Sequence, residues 1–163
     1  MDLKNGETMT TLEQKFGDHG VKGKRGEDIV KKILKEKFPT ALLIDRTQSF
    51  IYQKRGIDFT LILEGEIYID VDIKSNAFVG DAGDIILALE LEKADKSLGW
   101  FYNSQSEWIV HYCEKTDNVF YYDRKETIRK LEKENYSFSL TKKGDKIVYF
   151  STKDPRIEIV QLK

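Results

Sequence analysis

Residues 67–75, with the sequence IYIDVDIKS, restrict the fold of this chain more than any other stretch. Apolar residues recur there at every second position, which is the pattern of a β-strand with one face in a hydrophobic core. Successive side chains of a strand point to opposite faces, so Ile69, Val71 and Ile73 share the core face. The opposite face carries Asp70, Asp72 and Lys74. The sequence therefore predicts a mostly buried strand over 67–74 with two acids and one base side by side.

The remainder of the chain predicts both helices and strands. Apolar side chains at helical spacing indicate an amphipathic helix over 26–38, and Asp123 is placed to cap a second helix that runs to about 134. Residues 84–91 fit a helix or a strand, and the shortness of the run favours a strand. The predicted strands are 41–45, 57–63, 67–74, 84–91, 108–113, 119–122 and 157–162. We therefore expect an α/β domain whose first three strands form an antiparallel meander.

Length and composition limit the class of protein. A chain of 163 residues has the size of one ordinary domain. Residues 1–21 lack a sustained period and predict a flexible N-terminal arm, which leaves 22–163 as a single domain. No apolar run approaches the roughly 20 residues of a membrane span. The polar N-terminus and the lone Cys113 favour a cytoplasmic protein that does not contact the membrane.

The charges are distributed unevenly along the chain. Residues 1–55 carry a net charge of +4, residues 56–120 carry −9, and residues 121–163 carry +4. An acidic middle between two basic ends fits a carboxylate metal site flanked by surfaces that bind phosphate. Uneven solvated charge without a function fits the same pattern, so the distribution leaves both interpretations open.

The two acids and one base on the predicted strand leave a surplus of negative charge. Burying a charge is costly unless the group is paired or binds a metal, and a divalent cation would balance this surplus. Asp58 lies in the preceding strand and, across a hairpin, can approach Asp72. Two such carboxylates suit Mg²⁺ or Mn²⁺, which keep bound waters and accept phosphate oxygens. Lys74 lies on the same face, where it can orient an attacking water and stabilise developing charge.

This pattern resembles a known family. Asp58, then thirteen residues, then Asp72 and Lys74 separated by one residue, is similar to the signature of PD-(D/E)XK nucleases. These include restriction endonucleases, Holliday-junction resolvases and nucleases of phages and mobile elements. The resemblance covers residues 26–92 and implies a restriction endonuclease-like fold, in which a central mixed β-sheet is flanked by helices. It also implies Mg²⁺-dependent hydrolysis of phosphodiester bonds in DNA, and many members of the family act as homodimers.

Two details of the motif need separate comment. Ile57 stands where the family has proline. In the family an acidic residue of the first helix assists the site, and Glu27 matches that position; a carboxylate that favourably meets the helix dipole is the other interpretation of Glu27. For Asp70, a solvated strand residue or a partner of Lys74 is favoured over a metal ligand.

A second resemblance is to nucleases of phages and mobile elements in which the D-x-K strand precedes an apolar strand ending in Glu, followed by Gly-Trp-Phe. The matching residues here are Glu90 and, after it, Gly99, Trp100 and Phe101. The resemblance implies that Glu90 joins the metal site or its surroundings. The aromatic residues around Trp100 fit a hydrophobic core better than a platform for stacking bases, and His111 fits a structural role.

Basic residues in two segments of the chain are candidates for contacting DNA. Those in the glycine-rich loop before the first helix fit either phosphate contacts or simple solvation, whereas the pair just before Asp58 favours function. The candidates are Lys22, Lys24, Arg25, Lys54 and Arg55. The sequence as a whole predicts a Mg²⁺-dependent DNA endonuclease. The alternative is a nuclease-fold module that binds DNA or a protein without cleaving.

Overall fold

The structure, a computed structural model, describes residues 23–134 and 136–163. The predicted arm over 1–21 and Lys22 therefore lie outside the described residues. In chain order the helices and strands are α1 (23–37), β1 (Leu42–Asp45), α2 (Phe50–Lys54), β2 (Phe59–Leu63), β3 (Ile67–Lys74), β4 (Phe78–Val79), β5 (Ile85–Glu92), α3 (Trp100–Asn103), β6 (Trp108–Cys113), β7 (Asn118–Asp123), α4 (Arg124–Lys133), β8 (Ser139–Leu140), β9 (Lys146–Ser151) and β10 (Val160–Gln161).

A six-stranded mixed sheet forms the centre of the fold, with the strand order β1-β2-β3-β6-β7-β10. The first three strands form the predicted antiparallel meander. β3 then pairs in parallel with β6, in a register that places Asp72 opposite Ile109 and Lys74 opposite His111. The prediction of an α+β fold with a central mixed sheet and flanking helices is thus confirmed.

A second sheet, with the order β4-β5-β9-β8, was not predicted as a separate unit. Its strands β4 and β5 lie in the connection between β3 and β6, which is long because a parallel pair needs a crossover rather than a tight turn, whereas β8 and β9 follow α4. β5 pairs along its length with β9, so the segment 84–91 is a strand as favoured by its sequence. The second sheet supplies the layer that covers one face of the central sheet.

The hydrophobic core has two parts, one on each face of the central sheet. The neighbouring residues Ile109 and Val110 of β6 are both fully buried, and they belong to different parts. Val110 packs with Val71 and with Leu34 of α1, whereas Ile109 packs with Leu89 of the second sheet. β6 is therefore covered on both faces, as its continuous apolar sequence requires.

The helices agree with the sequence patterns in part. α1 occupies the region predicted as the first helix, and α4 begins after Asp123, whose side chain accepts a hydrogen bond from the Glu126 N–H at 2.8 Å. The short helices α2 and α3 were not predicted. The last strand is shorter than the predicted 157–162, because only Val160–Gln161 pair with β7. Within the described residues, no helix is long and apolar enough to cross a membrane.

Candidate active site

β3 presents its charged side chains on the face that meets the second sheet. Val71 and Ile73 are buried in the core against α1, so the alternating residues Asp72 and Lys74 point the other way. Asp70 lies on the same face, but its Oδ1 accepts a hydrogen bond from the Thr60 hydroxyl at 2.7 Å. Asp70 is thus engaged with β2 rather than with Lys74.

Asp72 and Lys74 form an ion pair in which one carboxylate oxygen is left over. Nζ of Lys74 lies 2.9 Å from Oδ1 of Asp72, whose side chain is only 3% exposed. Oδ2 of Asp72 is buried and makes no hydrogen bond of good geometry among the described residues, although the Ser104 hydroxyl is near enough to lower the pKa of Asp72. Burial raises the pKa of Asp72 to about 6, although the Lys74 ammonium lowers it. A buried carboxylate with a free lone pair is costly, so this oxygen is the atom in the site that most needs a partner.

Asp58 lies where β2 and β3 part. β2 begins at Phe59, paired with Val71, whereas β3 continues to Lys74. The Ile73 N–H, which has no β2 residue to bond, donates to Oδ2 of Asp58 at 2.7 Å. The Asp58 carboxylate is close enough to Asp72 to raise the pKa of Asp72. The structure therefore brings Asp58, Asp72 and Lys74 together at the open end of the hairpin.

Gln53 and Gly56, which both precede Asp58 in the chain, also shape this site. Neither was identified from the sequence. Gln53, in α2, donates from Nε2 to Oδ1 of Asp58 at 3.1 Å. Gly56 has a φ of +65°, and a Cβ at this position would lie 3.2 Å from Oδ2 of Asp72. Glycine is thus required both by the left-handed backbone and by the close approach of the carboxylate. The sequence signal for α2 was absent, since a five-residue helix has no measurable period.

The turn between α2 and β2 explains the departure from proline at position 57. The Ile57 N–H donates to the Tyr52 carbonyl at 3.0 Å, and the Ile57 side chain is fully buried. Proline has no N–H and could not make this hydrogen bond. Ile57 therefore fixes the approach to Asp58 through a hydrogen bond and a buried side chain.

Glu27 lies near the start of α1, beside the site. Burial and the neighbouring carboxylates of Asp58, Asp45 and Asp28, in that order, raise the pKa of Glu27 to about 7. Glu27, Asp28 and Asp45 also line a cavity of about 450 Å³, together with Lys24. The neighbouring negative charges disfavour ionisation of Glu27, so a cation bound nearby would lower the pKa of Glu27.

Glu90 is connected to the site through Trp100. Its Oε1 accepts a hydrogen bond from the Trp100 backbone N–H at 3.3 Å, and the Trp100 ring centroid lies 4.8 Å from Nζ of Lys74. Across residues 23–134 and 136–163, no three His, Cys, Asp or Glu side chains are arranged to hold one metal ion. Glu90 thus contacts the backbone of Trp100, and direct metal ligation by Glu90 stays a prediction.

His111 is fully buried next to Lys74 in the register of β3 and β6. Its ring nitrogens lie 2.7 Å from Oδ1 of Asn76 and 2.9 Å from the Tyr122 hydroxyl. Burial lowers the pKa of His111 to about 3, so the ring is neutral. Phe101 is likewise fully buried, in the core cluster that Trp100 packs against. These contacts are those of core residues.

The candidate DNA-contacting residues are at the surface and engage different partners. Nη1 of Arg25 lies 3.6 Å from Oε1 of Glu114, and Lys24 is exposed. Nζ of Lys54 lies 4.5 Å from the centroid of the Phe50 ring. Nε of Arg55 donates to Oε1 of Gln105 at 2.8 Å. Lys54 and Arg55 adjoin Asp58 in sequence, whereas Lys22 is outside the described residues.

The fold and the site geometry define an α+β domain with paired carboxylates at the end of a strand hairpin. No family model and no curated protein matches the chain. Among solved structures, the chain is similar to a bacterial homing endonuclease, I-Ssp6803I, with a TM-score of 0.51, 14% identity, and coverage of 84% of this chain and 80% of that chain. It also matches D212, a nuclease from a fusselovirus, with a TM-score of 0.37, 14% identity, and coverage of 79% and 80%. The first likeness shows a shared fold.

Proposed function

We propose that this protein is a metal-dependent DNA endonuclease of the PD-(D/E)XK type. The observation that carries the proposal is the buried, unpartnered Oδ2 of Asp72, beside the Asp58 carboxylate and with Lys74 on the other carboxylate oxygen. A fold that needed only a structural ion pair would require one acid and one base. The second acid gives the pocket a negative surplus that a cation would balance.

The residues present fit Mg²⁺ or Mn²⁺. Mg²⁺ is commonly held by only one or two carboxylates, and it completes its octahedral shell with waters and substrate phosphate oxygens. Oδ2 of Asp72 is buried and accepts no hydrogen bond within the described residues, and Oδ1 of Asp58 accepts one, from Gln53. When bound, the ion would lower the pKa of a coordinated water and offset charge on the phosphate.

In this proposal each side chain has its own task. Asp58 and Asp72 hold the ion, and the Lys74 ammonium orients the attacking water and stabilises charge on the phosphate. The Trp100 backbone N–H donates to Glu90, and the Trp100 ring lies next to the Lys74 ammonium and limits its position. Glu27 assists Asp58 from α1, and its raised pKa makes it a proton acceptor near neutral pH.

The step from this site to DNA is supported by the shared fold with a homing endonuclease and by basic residues beside Asp58. The candidate phosphate contacts are Lys22, Lys24, Arg25, Lys54 and Arg55. A homodimer that cuts both strands stays a prediction. The alternative function, a nuclease fold that binds without cleaving, gives no reason for a buried acid with an unpartnered oxygen.

Incubation with supercoiled plasmid tests the proposal. The parent should nick plasmid in Mg²⁺ or Mn²⁺ and stop in EDTA. Asp72→Asn and Lys74→Ala should each lower the nicking rate by about 100-fold or more. Asp70→Asn is the matched control, because Asp70 lies on the same face of β3 but is engaged with Thr60, and it should cut like the parent.

The outcomes separate the alternatives. If Asp72→Asn and Lys74→Ala cut as fast as the parent, the assigned site is wrong even though cutting occurs. If the parent binds DNA but does not nick it in either metal, the non-catalytic module is the correct function.

A further inference from the structure

α2 is an unusual helix, because none of its residues is buried. Phe50 and Ile51 are 72% and 70% exposed, which makes them the most exposed large apolar side chains of the described residues. Exposed apolar side chains add nothing to the core, and a contiguous apolar patch with a polar rim is the kind of surface that binds a partner. The feature therefore calls for a partner.

One basic side chain lies against Phe50, and a second basic residue ends the helix. Phe50 and Lys54 are four residues apart, on one side of the helix, and the Lys54 ammonium lies 4.5 Å from the Phe50 ring centroid. Arg55 follows directly, and no acidic residue lies in the first turn of α2. Phe50 and Ile51 thus form an apolar tip of α2, and Lys54 and Arg55 form its basic rim. This combination matches a polyanion better than it matches an ordinary protein surface.

The position of α2 relative to the proposed site is fixed. Gln53 of α2 donates to Asp58, and the guanidinium carbons of Arg46 and Arg55 lie 4.2 and 5.6 Å from the centroid of the Tyr52 ring. These contacts hold one side of the helix to the body of the protein while Phe50 and Ile51 face away. α2 therefore lies next to the proposed site, with Phe50 and Ile51 exposed.

We infer that α2 and Arg55 form a DNA-contact surface in which Phe50 and Ile51 pack against sugars and base edges in the minor groove. Lys54 and Arg55 contact the flanking phosphates. Apolar side chains beside basic ones are a general device for entering the minor groove and opening a base step. The inference rests on the proposed function, since it takes duplex DNA as the substrate.

The test measures binding of the full chain to a short labelled duplex in EDTA, where no cutting can occur, over a range of salt concentrations. Phe50→Ala with Ile51→Ala should weaken binding about 10-fold at every salt concentration and leave the salt slope unchanged. Lys54→Ala should instead reduce the slope of log affinity against log salt by about one. Leu140→Ala and Lys143→Ala are controls, since Leu140 is 66% exposed in the other sheet and Lys143 is exposed in the following turn.

Three results would overturn the inference. The apolar double variant could bind like the parent, the parent could fail to bind the duplex, or the double variant could convert a dimer to a monomer in sedimentation, which would assign the tip to a second copy. Plasmid nicking by the same proteins separates this from the proposed function. A parent that binds as expected but never nicks rejects the nuclease and keeps the surface, whereas a nicking parent unaffected by the double variant rejects only the surface.

Discussion

Oδ2 of Asp58 accepts a hydrogen bond from the backbone N–H of Ile73 at 2.7 Å, across the point where β2 and β3 separate. This carboxylate therefore has two tasks, since it completes the hydrogen bonding of β3 and is also a proposed metal ligand. The two tasks can be separated by substitution, because an amide oxygen can accept the same hydrogen bond without carrying the charge.

Asp58→Asn should keep the fold and lose cleavage. Its Oδ1 can still accept from Ile73, but its Nδ2 replaces the oxygen that accepts from Gln53, so the free energy of unfolding should fall by only about 1 kcal/mol, while nicking falls by about 100-fold or more. Asp58→Ala should also destabilise the protein by about 1 to 3 kcal/mol, because the Ile73 N–H is left without a partner. Urea denaturation and plasmid nicking measure the two effects. Equal stability of the two variants would show that the hydrogen bond contributes nothing.

The ionisation of Asp72 should make the metal-free protein less stable as pH rises. The folded-state pKa of about 6 lies above the ordinary value of 3.8, so the folded protein binds the proton more tightly than the unfolded chain. Stability should then fall between about pH 4 and pH 6, by on the order of 2 to 3 kcal/mol. Asp72→Asn should lack this part of the pH dependence. Urea denaturation in EDTA at pH 4.5 and 7 compares them, and identical pH profiles for both proteins would contradict the prediction.

Cleavage should increase with pH through the range in which Glu27 ionises. A cation competes with protons for these carboxylates, and the pKa of Glu27 is raised to about 7. At a limiting Mg²⁺ concentration, activity should rise between about pH 6 and pH 8, and higher Mg²⁺ should move the rise to lower pH. Glu27→Gln should move the midpoint toward the pKa of Asp72, about 6. A rise that Glu27→Gln leaves at the same pH would assign it to another group.

Introducing the proline of the PD-(D/E)XK signature at position 57 should destabilise this protein. Ile57→Pro removes the hydrogen bond to Tyr52 and a fully buried side chain, and we expect a loss of about 3 kcal/mol in the free energy of unfolding. Ile57→Val keeps the N–H and should cost only about 1 kcal/mol. Thermal or urea denaturation measures both. A proline variant as stable as the valine variant would show that the N–H is dispensable.

The sequence predicted those parts of the fold that depend on local pattern. β3 and β6 have the predicted bounds, because alternation in one and a continuous apolar run in the other mark each strand from end to end. The pairing of β3 with β6 was not predictable in this way, since it joins segments that β4, β5 and α3 separate in the chain. Ile157 is buried but is not paired in a strand. Its apolar character predicts burial and cannot tell a strand residue from a buried loop residue.

The site was predictable to a similar degree. Asp72 and Lys74 share a face because the strand alternates, and Asp58 is brought to them by the hairpin register. Gln53 could not be found, because its contact with Asp58 depends on the turn that Gly56 allows. The contact of Glu90 with Trp100 likewise depends on the packing of β5 against α3, and no local pattern encodes it.

The parallel pairing of β3 with β6 determines when, during synthesis of the chain, the proposed site can be completed. A nascent chain that ends before β6 already contains every proposed ligand, yet one edge of β3 has unpaired N–H and C=O groups that remain hydrated. The pocket around Asp72 would then be open to water, without the low-dielectric surroundings that give this carboxylate its character. The proposed site would therefore be completed only once β6 has been added beside β3.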